Sequence, residues 1–177
     1  MRLFIALDVS EEVRARVGEA VTREQETVDA KWSRTDGLHI TVVFFGDQPA
    51  EKLPEILRIT TAVATRHAPM QLQLKGAATF GGKLPRVLWL GVDGAVEPLS
   101  ALAAELGAAL GVVSDHPEFT PHLTLARSVA AKGDPMLNEV SARLGKKRFG
   151  TWQANHLTVY ETAGGRYRAL ATIPLEG

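Results

Sequence analysis

The chain has 177 residues, with 20 lysines and arginines, 20 aspartates and glutamates, five histidines and no cysteine. With 45% hydrophobic and 23% charged residues, the composition is that of a globular protein and excludes a disordered or fibrous one. The net charge of zero argues against binding to nucleic acid or membranes through bulk charge. The absence of cysteine excludes disulfides, thiol nucleophiles and thiolate metal sites.

The N-terminal segment MRLFIALDVSEE has an apolar stretch too short for a secretion signal or a membrane span. We therefore expect a soluble, cytoplasmic protein without a membrane partner. A length of this order suits one domain, or two half-size lobes that share a core. We expect a monomer.

Hydrophobic periodicity predicts alternating strands and helices in the first part of the chain. The apolar run at 2–8 predicts a buried strand, and Ser10 is placed to cap a helix that extends to about residue 30. The next predicted elements are a brief strand at 31–34, a turn at 35–37, a strand at 38–46, a helix over 49–67 and a half-buried strand at 70–80.

The second part of the chain repeats this mixture and contains no Pro- or Ser-rich linker. The whole of 1–177 is therefore predicted to be a single bilobal domain. The predicted elements are a strand at 86–93, a helix over 95–110, a strand at 122–128, a helix over 134–145 and a hairpin of strands 156–162 and 166–173.

The pattern His-x-Thr-x opens two of these strands, at 39–42 (HITV) and at 122–125 (HLTL). Because side chains alternate along a strand, the His and the Thr of each motif share one face, and the two apolar residues share the other. Each motif is therefore predicted to be anchored by its apolar pair and to present an imidazole beside a hydroxyl.

Two such strands at one cleft would offer the imidazoles of His39 and His122 together with the hydroxyls of Thr41 and Thr124. This set suits in-line attack at phosphorus, in which one neutral His accepts a proton from the nucleophile and one protonated His donates a proton to the leaving oxygen. The hydroxyls would bind the non-bridging oxygens. A pKa of about 6.5 suits imidazole to both roles. The scheme needs no metal and no cofactor.

A third match, HLTV at 156–159, leaves open which two motifs form the pair, since spacing alone does not decide. His122 is followed by Arg127, a fixed cation suited to phosphate, whereas the third motif is followed by Glu161, whose charge opposes an anionic ligand. We interpret the third motif as a position in the sheet with a half-exposed histidine, and His67 and His116 as surface residues without a partner.

Two further candidates depend on strand parity. Arg127 lies five residues after His122, so ideal alternation places it on the opposite face, and a bulge or the end of the strand is needed to bring it into the cleft. Phe45 shares parity with His39 and Thr41 and is a candidate to stack on a nucleobase, although an apolar strand residue more often packs in the core.

The sequence is similar to a known family through RLFIALD, GLHITVVFFG, RVLWLGV, FTPHLTLAR and VYETAGGRYRAL, in this order and nearly end to end. These segments resemble RNA 2′,3′-cyclic phosphodiesterases of the 2H phosphoesterase superfamily, first described as 2′-5′ RNA ligases. The resemblance implies an α+β fold in which two lobes, related by a pseudo-two-fold axis, surround a central cleft. Each lobe would be an antiparallel sheet with helices on its outer face.

The resemblance also implies the chemistry, in which an RNA or oligonucleotide 2′,3′-cyclic phosphate end opens to a 2′-phosphomonoester. His39 resembles the proton donor to O3′ and His122 the acceptor that activates water, while His156 matches a position that is not catalytic. Thr41 and Thr124 would hold the phosphate oxygens, and Arg127, likewise implied, would offset their charge. The pseudo-symmetry leaves open which His is acid and which is base in each direction.

Other functions remain open at this stage. Runner-up substrates are small cyclic phosphates such as ADP-ribose 1″,2″-cyclic phosphate, and 2′-5′-linked oligonucleotides. Ligation would be the reverse reaction, and a non-catalytic RNA-end binder is the alternative outside enzymes. Because a few groups suffice to bind one terminal phosphate, we expect a shallow salt dependence, and a steep one would indicate a basic groove.

Overall fold

The computed structural model describes residues 1–114 and 118–177, which form nine strands and four α-helices. The strands are β1 (Arg2–Asp8), β2 (Lys31–Trp32), β3 (His39–Asp47), β4 (Met70–Phe80), β5 (Val87–Gly94), β6 (His122–Arg127), β7 (Arg148–Ala154), β8 (His156–Ala163) and β9 (Arg166–Pro174). The helices are α1 (Glu11–Gln25), α2 (Leu53–Ala64), α3 (Val96–Leu110) and α4 (Met136–Leu144).

The strands form two antiparallel sheets, in the order β3-β1-β8-β9 and β2-β6-β5-β4-β7. Neither sheet is one continuous half of the chain, because β2 joins the second sheet and the chain then returns to the first for β3. Ile40 of β3 and Leu123 of β6 are both fully buried in the same hydrophobic core. The predicted α+β class with two antiparallel sheets is confirmed.

The helices pack on the sheets through their apolar faces. Helix α1 contacts β7, α2 contacts β9 and α3, α3 also contacts β3 and β4, and α4 contacts β4 and β5. Ser10 caps α1 as predicted, since its Oγ accepts a hydrogen bond from the Val13 amide at 3.2 Å. The prediction that α1 extends to about residue 30 is wrong, because the helix ends at Gln25 and Val28 reaches the core from the turn that follows.

Strand β7 is absent from the sequence prediction. Its buried residues do not alternate regularly, because Gly150 has a φ of 123° and the pairing of β7 with β4 shifts next to it. The strand also begins directly after the basic pair Lys146 and Lys147. Trp152 of this strand donates its Nε1–H to the carbonyl of Asp8 at 3.0 Å and so ties the second sheet to the end of β1 in the first.

Three further predictions concern His67, His116 and membrane-spanning helices. His67 is mostly buried and its Nε2 lies 2.5 Å from Glu105 Oε2, so the prediction of an unpartnered surface histidine is wrong. His116 lies outside the described residues. Among the helices that the structure describes, none has both the length and the apolar character needed to cross a membrane.

Burial of the apolar face of β6 predicts a large stability effect at Leu123. The Leu123→Ala variant should lose about 2–5 kcal/mol in free energy of unfolding, since a fully buried side chain leaves a cavity. The matched variant Leu84→Ala, at a side chain that is 47% exposed, should lose about 1 kcal/mol or less. Urea denaturation of both variants measures the difference, and equal losses would contradict the assignment of Leu123 to the core.

Candidate active site

The two predicted motif strands meet in space. Strands β3 and β6 contact each other across the two sheets, and their polar face opens on a cleft of about 520 Å³. This volume is in the range of sites that bind a small molecule or a terminal group of a larger one. The cleft brings together five of the six site residues predicted from the sequence, namely His39, Thr41, His122, Thr124 and Arg127.

The two imidazoles have matching hydrogen bonds. Nδ1 of His39 lies 2.7 Å from the carbonyl of Gly37, and Nδ1 of His122 lies 2.7 Å from the carbonyl of Thr120, in each case two residues upstream. A carbonyl only accepts hydrogen bonds, so Nδ1 donates in both rings and the lone pair of the neutral ring is on Nε2. In His39 this Nε2 is 3.0 Å from Thr41 Oγ1. Both neutral rings are therefore fixed in the tautomer whose Nε2 carries the lone pair.

A bulge in each motif strand changes which residues face the cleft. The register of β3 with β1 skips Val42, and the register of β6 with β5 skips Leu125. Each skipped residue and its successor are buried, so the position five residues after each motif histidine returns to the cleft face. These two positions are Phe44 and Arg127, and both line the cleft.

The bulges decide the two parity arguments differently. Arg127 reaches the cleft through the kind of irregularity that the sequence argument required. Phe45 packs against the core, the more common place for an apolar strand residue, and does not line the cleft as its parity with His39 indicated. Ideal alternation does not include the extra residue of a bulge. Because β3 has such a residue, the position that faces the cleft is 44 instead of 45, and the Phe44 ring is 50% exposed.

Aromatic rings surround both imidazoles, and the sequence analysis identified none of these neighbours. The ring centroid of His39 lies 4.8 Å from that of Phe4 and 5.1 Å from that of Tyr167. The His122 ring makes an edge contact with Phe80, with 5.2 Å between centroids. For Phe4, the one sequence signal was the alternation of side chains along β1, which places Phe4 on the same face as Asp8. The pairing of β1 with β3 brings that face beside the first motif strand. The aromatic contacts pack against the imidazoles and restrict the orientation of their rings.

The third His-x-Thr copy binds a carboxylate. His156 Nε2 lies 3.1 Å from Asp8 Oδ2, Thr158 donates its hydroxyl to the same oxygen at 2.7 Å, and the Tyr160 hydroxyl donates to Oδ1. Asp8 is directly opposite His39 in the β1–β3 pairing. The third motif therefore positions a carboxylate next to the first motif.

The electrostatics of these groups are coupled. Burial alone would raise the pKa of Asp8, but hydrogen bonds from Tyr160, Thr158 and His156 outweigh it and lower that pKa, so the carboxylate stays ionised. Burial lowers the pKa of His39, and the charge of His122 lowers it further. The hydrogen bond to the Gly37 carbonyl and the charge of Asp8 act in the opposite sense. The net effect favours a neutral His39 when the cleft holds no anion.

The polar groups of the cleft are mainly imidazoles, hydroxyls and cationic side chains, with the carboxylate of Asp36 among them, and this excess of positive charge suits an anion. Within 1–114 and 118–177, no three histidine, aspartate or glutamate side chains lie close enough together to hold a metal ion. The arrangement can bind a phosphate group and place a proton-transferring ring nitrogen beside it from each of two strands.

Solved structures have the same fold. The protein TT0787 of Thermus thermophilus superimposes with a TM-score of 0.78 at 30% identity, covering 100% of this chain and 99% of that one. The LigT protein of Escherichia coli, in a crystal with NADP+, superimposes with a TM-score of 0.73 at 25% identity, covering 99% and 98% of the two chains. The fold is therefore that of the LigT-like 2H phosphoesterases.

Sequence comparison gives the family more closely. The profile of the 2'-5' RNA ligase superfamily matches residues 9–166, and the chain belongs to this superfamily. It is 30% identical over 168 residues to the RNA 2',3'-cyclic phosphodiesterase of Methanocaldococcus jannaschii, which covers 92% of this chain and 91% of the relative. A relative of the same name from Geobacillus stearothermophilus is 28% identical across 98% of this chain, and this chain spans 57% of that relative's length.

The contact between Asp8 and the third motif predicts a shift in the titration of His39. Asp8→Asn removes the negative charge that raises the pKa of His39, so that pKa should fall further below its ordinary value. Titration of the His39 ring protons by NMR measures it. The control Asp47→Asn, at the exposed far end of β3, should leave the His39 titration unchanged. An unchanged or raised pKa in Asp8→Asn would contradict the electrostatic role of this carboxylate.

Proposed function

We propose that the protein is an RNA 2′,3′-cyclic phosphodiesterase, which hydrolyses RNA or oligonucleotide 2′,3′-cyclic phosphate ends to 2′-phosphomonoesters by metal-independent acid–base catalysis. The observation that carries the proposal is the pair of matched imidazoles, each with Nδ1 bound to a backbone carbonyl and each beside a threonine, in one cleft. Membership of the superfamily and the shared name of the relatives support the same activity.

The proposed reaction transfers two protons. His122 accepts a proton from water through Nε2 as the water oxygen forms a bond to phosphorus, opposite to O3′. The bond from phosphorus to O3′ breaks, and His39 donates a proton from Nε2 to O3′, which leaves the phosphate on O2′. Thr41 and Thr124 bind the non-bridging oxygens, and the positive charge of Arg127 nearby offsets the negative charge that increases on them in the transition state.

The donor role of His39 depends on the bound ligand. The cleft without an anion favours the neutral imidazole, which is the form of a base, because burial lowers the pKa of His39. A phosphate anion beside the ring has the opposite effect, since it stabilises the protonated form, and Asp8 adds to it. We therefore propose that substrate binding supplies the protonation that the acid needs.

One alternative substrate class is favoured by a particular observation. Crystals of E. coli LigT contain NADP+ or 3'-AMP, which supports small nucleotide phosphates, including ADP-ribose 1″,2″-cyclic phosphate, as second-choice substrates. Ligation of 2′-5′ ends would be the same chemistry in reverse. A non-catalytic RNA-end binder is disfavoured, because simple anion binding needs only fixed cations, whereas this cleft places two titratable rings beside hydroxyls.

The proposal predicts the product and its dependence on both histidines. In EDTA, the wild-type protein should convert an oligonucleotide 2′,3′-cyclic phosphate to the 2′-phosphate, and His39→Ala and His122→Ala should each lose about 10²–10⁴ in rate. Product isomers are separated by chromatography, with His67→Gln, which lies outside the cleft, as the histidine control.

The outcomes of this assay separate the alternatives. Full activity in either cleft variant would exclude the two-histidine mechanism, and a 3′-phosphate product would show that O2′ is the leaving group instead. Loss of activity in EDTA that returns with a divalent cation would refute metal independence. Binding of the substrate without turnover by the wild type would favour the RNA-end binder.

A further inference from the structure

The charge of the cleft differs from the charge of the chain. The net charge of the whole chain is zero, yet the side chains that line the cleft include five cations and one carboxylate. That carboxylate, Asp36, pairs with Arg34 at 3.2 Å. The five cations are Arg2, Lys31, Arg34, Arg127 and Arg166. The excess of positive charge is more than one terminal phosphate requires.

Lys31 and Arg127 form the most unusual feature of this charge. They are directly opposite each other in the β2–β6 pairing, where side chains are close neighbours. Like charges in this position repel and reduce stability. No aspartate or glutamate of the described ranges forms an ion pair with either residue. An anionic ligand that contacts both side chains would remove this repulsion.

The backbone fixes this pair relative to the motif of β6. After β2, Ser33 donates its amide to the carbonyl of Leu125 and its hydroxyl to the carbonyl of Thr124, both at 2.8 Å. The strand that carries Lys31 is therefore bound to the strand that carries the second motif. Thr124 and Arg127 are three residues apart, but the bulge at Leu125 leaves them two register positions apart, a separation of roughly 7 Å along the strand. That separation leaves room for a sugar between two phosphates.

We propose that Lys31 and Arg127 form a second phosphate subsite for the group attached to the 5′ carbon of the terminal ribose. This inference rests on the proposed function, which places the cyclic phosphate between the two motifs. Because that phosphate occupies O2′ and O3′, the next phosphate of an RNA end is on the 5′ oxygen of the same ribose. The protein then prefers ends with a 5′-phosphate group over a simple nucleoside 2′,3′-cyclic phosphate.

The test compares three substrates that differ by one group: adenosine 2′,3′-cyclic phosphate, the same compound with a 5′-phosphate, and the dinucleotide ApA with a 2′,3′-cyclic phosphate end. We expect kcat/KM to be about tenfold higher for both substrates with the second phosphate, as for one charge-assisted contact. Lys31→Gln should abolish most of this preference. The exposed Lys52→Gln should keep the wild-type ratio.

Each outcome of the comparison decides the proposal. An active enzyme without any preference would refute the second subsite and leave the proposed function intact. A preference for the dinucleotide alone would show that the second nucleoside is recognised instead of the phosphate, which also overturns the proposal. A preference unchanged in Lys31→Gln would assign the contact to other residues.

Binding measurements keep the subsite testable if the protein does not turn over these substrates. Calorimetry with adenosine 2′-phosphate and adenosine 2′,5′-bisphosphate should give about tenfold tighter binding of the bisphosphate, and Lys31→Gln should remove the difference. Equal affinities in the wild type would contradict the subsite whatever the activity. Thermal unfolding provides a further check, since Lys31→Gln relieves the repulsion and should not lower the Tm.

Discussion

The site depends on the alternation of side chains along two strands, each of which is buried on one face. Ile40 and Leu123 are fully buried in one core, and this burial holds the intervening histidines and threonines on the opposite face of β3 and β6. Because both strands belong to the same packed core, their polar faces are fixed relative to each other. Hydrophobic packing of the two strands thus positions the imidazoles and hydroxyls of both motifs, and the carbonyls of Gly37 and Thr120 orient the rings.

Much of the fold was predictable because its strands have clear signals. The apolar or alternating segments that became β1, β3, β5 and β6 are recognisable in isolation, whereas β7 has a glycine at positive φ in its interior and an irregular burial pattern. The bulges were not predictable, since they arise from the pairing of strands distant in sequence. They explain why Arg127 reaches the cleft and why Phe44, rather than Phe45, lines it.

The repeated motif illustrates the same limit on a smaller scale. Three copies of His-x-Thr have similar sequences, and the structure places the first two in the cleft and the third against Asp8. The copy at 156–159 lies on the same sheet as the first, and its polar side chains bind Asp8, which is opposite His39. Sequence reasoning found no role for Asp8, because its partners are about 150 residues away along the chain.

The central claim is that the two histidines divide the proton transfers, with His39 as the donor to O3′. The most direct test uses a 2′,3′-cyclic phosphate substrate in which sulfur replaces O3′, because a thiolate leaves without a proton. On this substrate His39→Ala should recover most of the wild-type rate, whereas His122→Ala should remain impaired, since water still has to lose a proton. Equal impairment of both variants, or recovery in His122→Ala alone, would contradict this division.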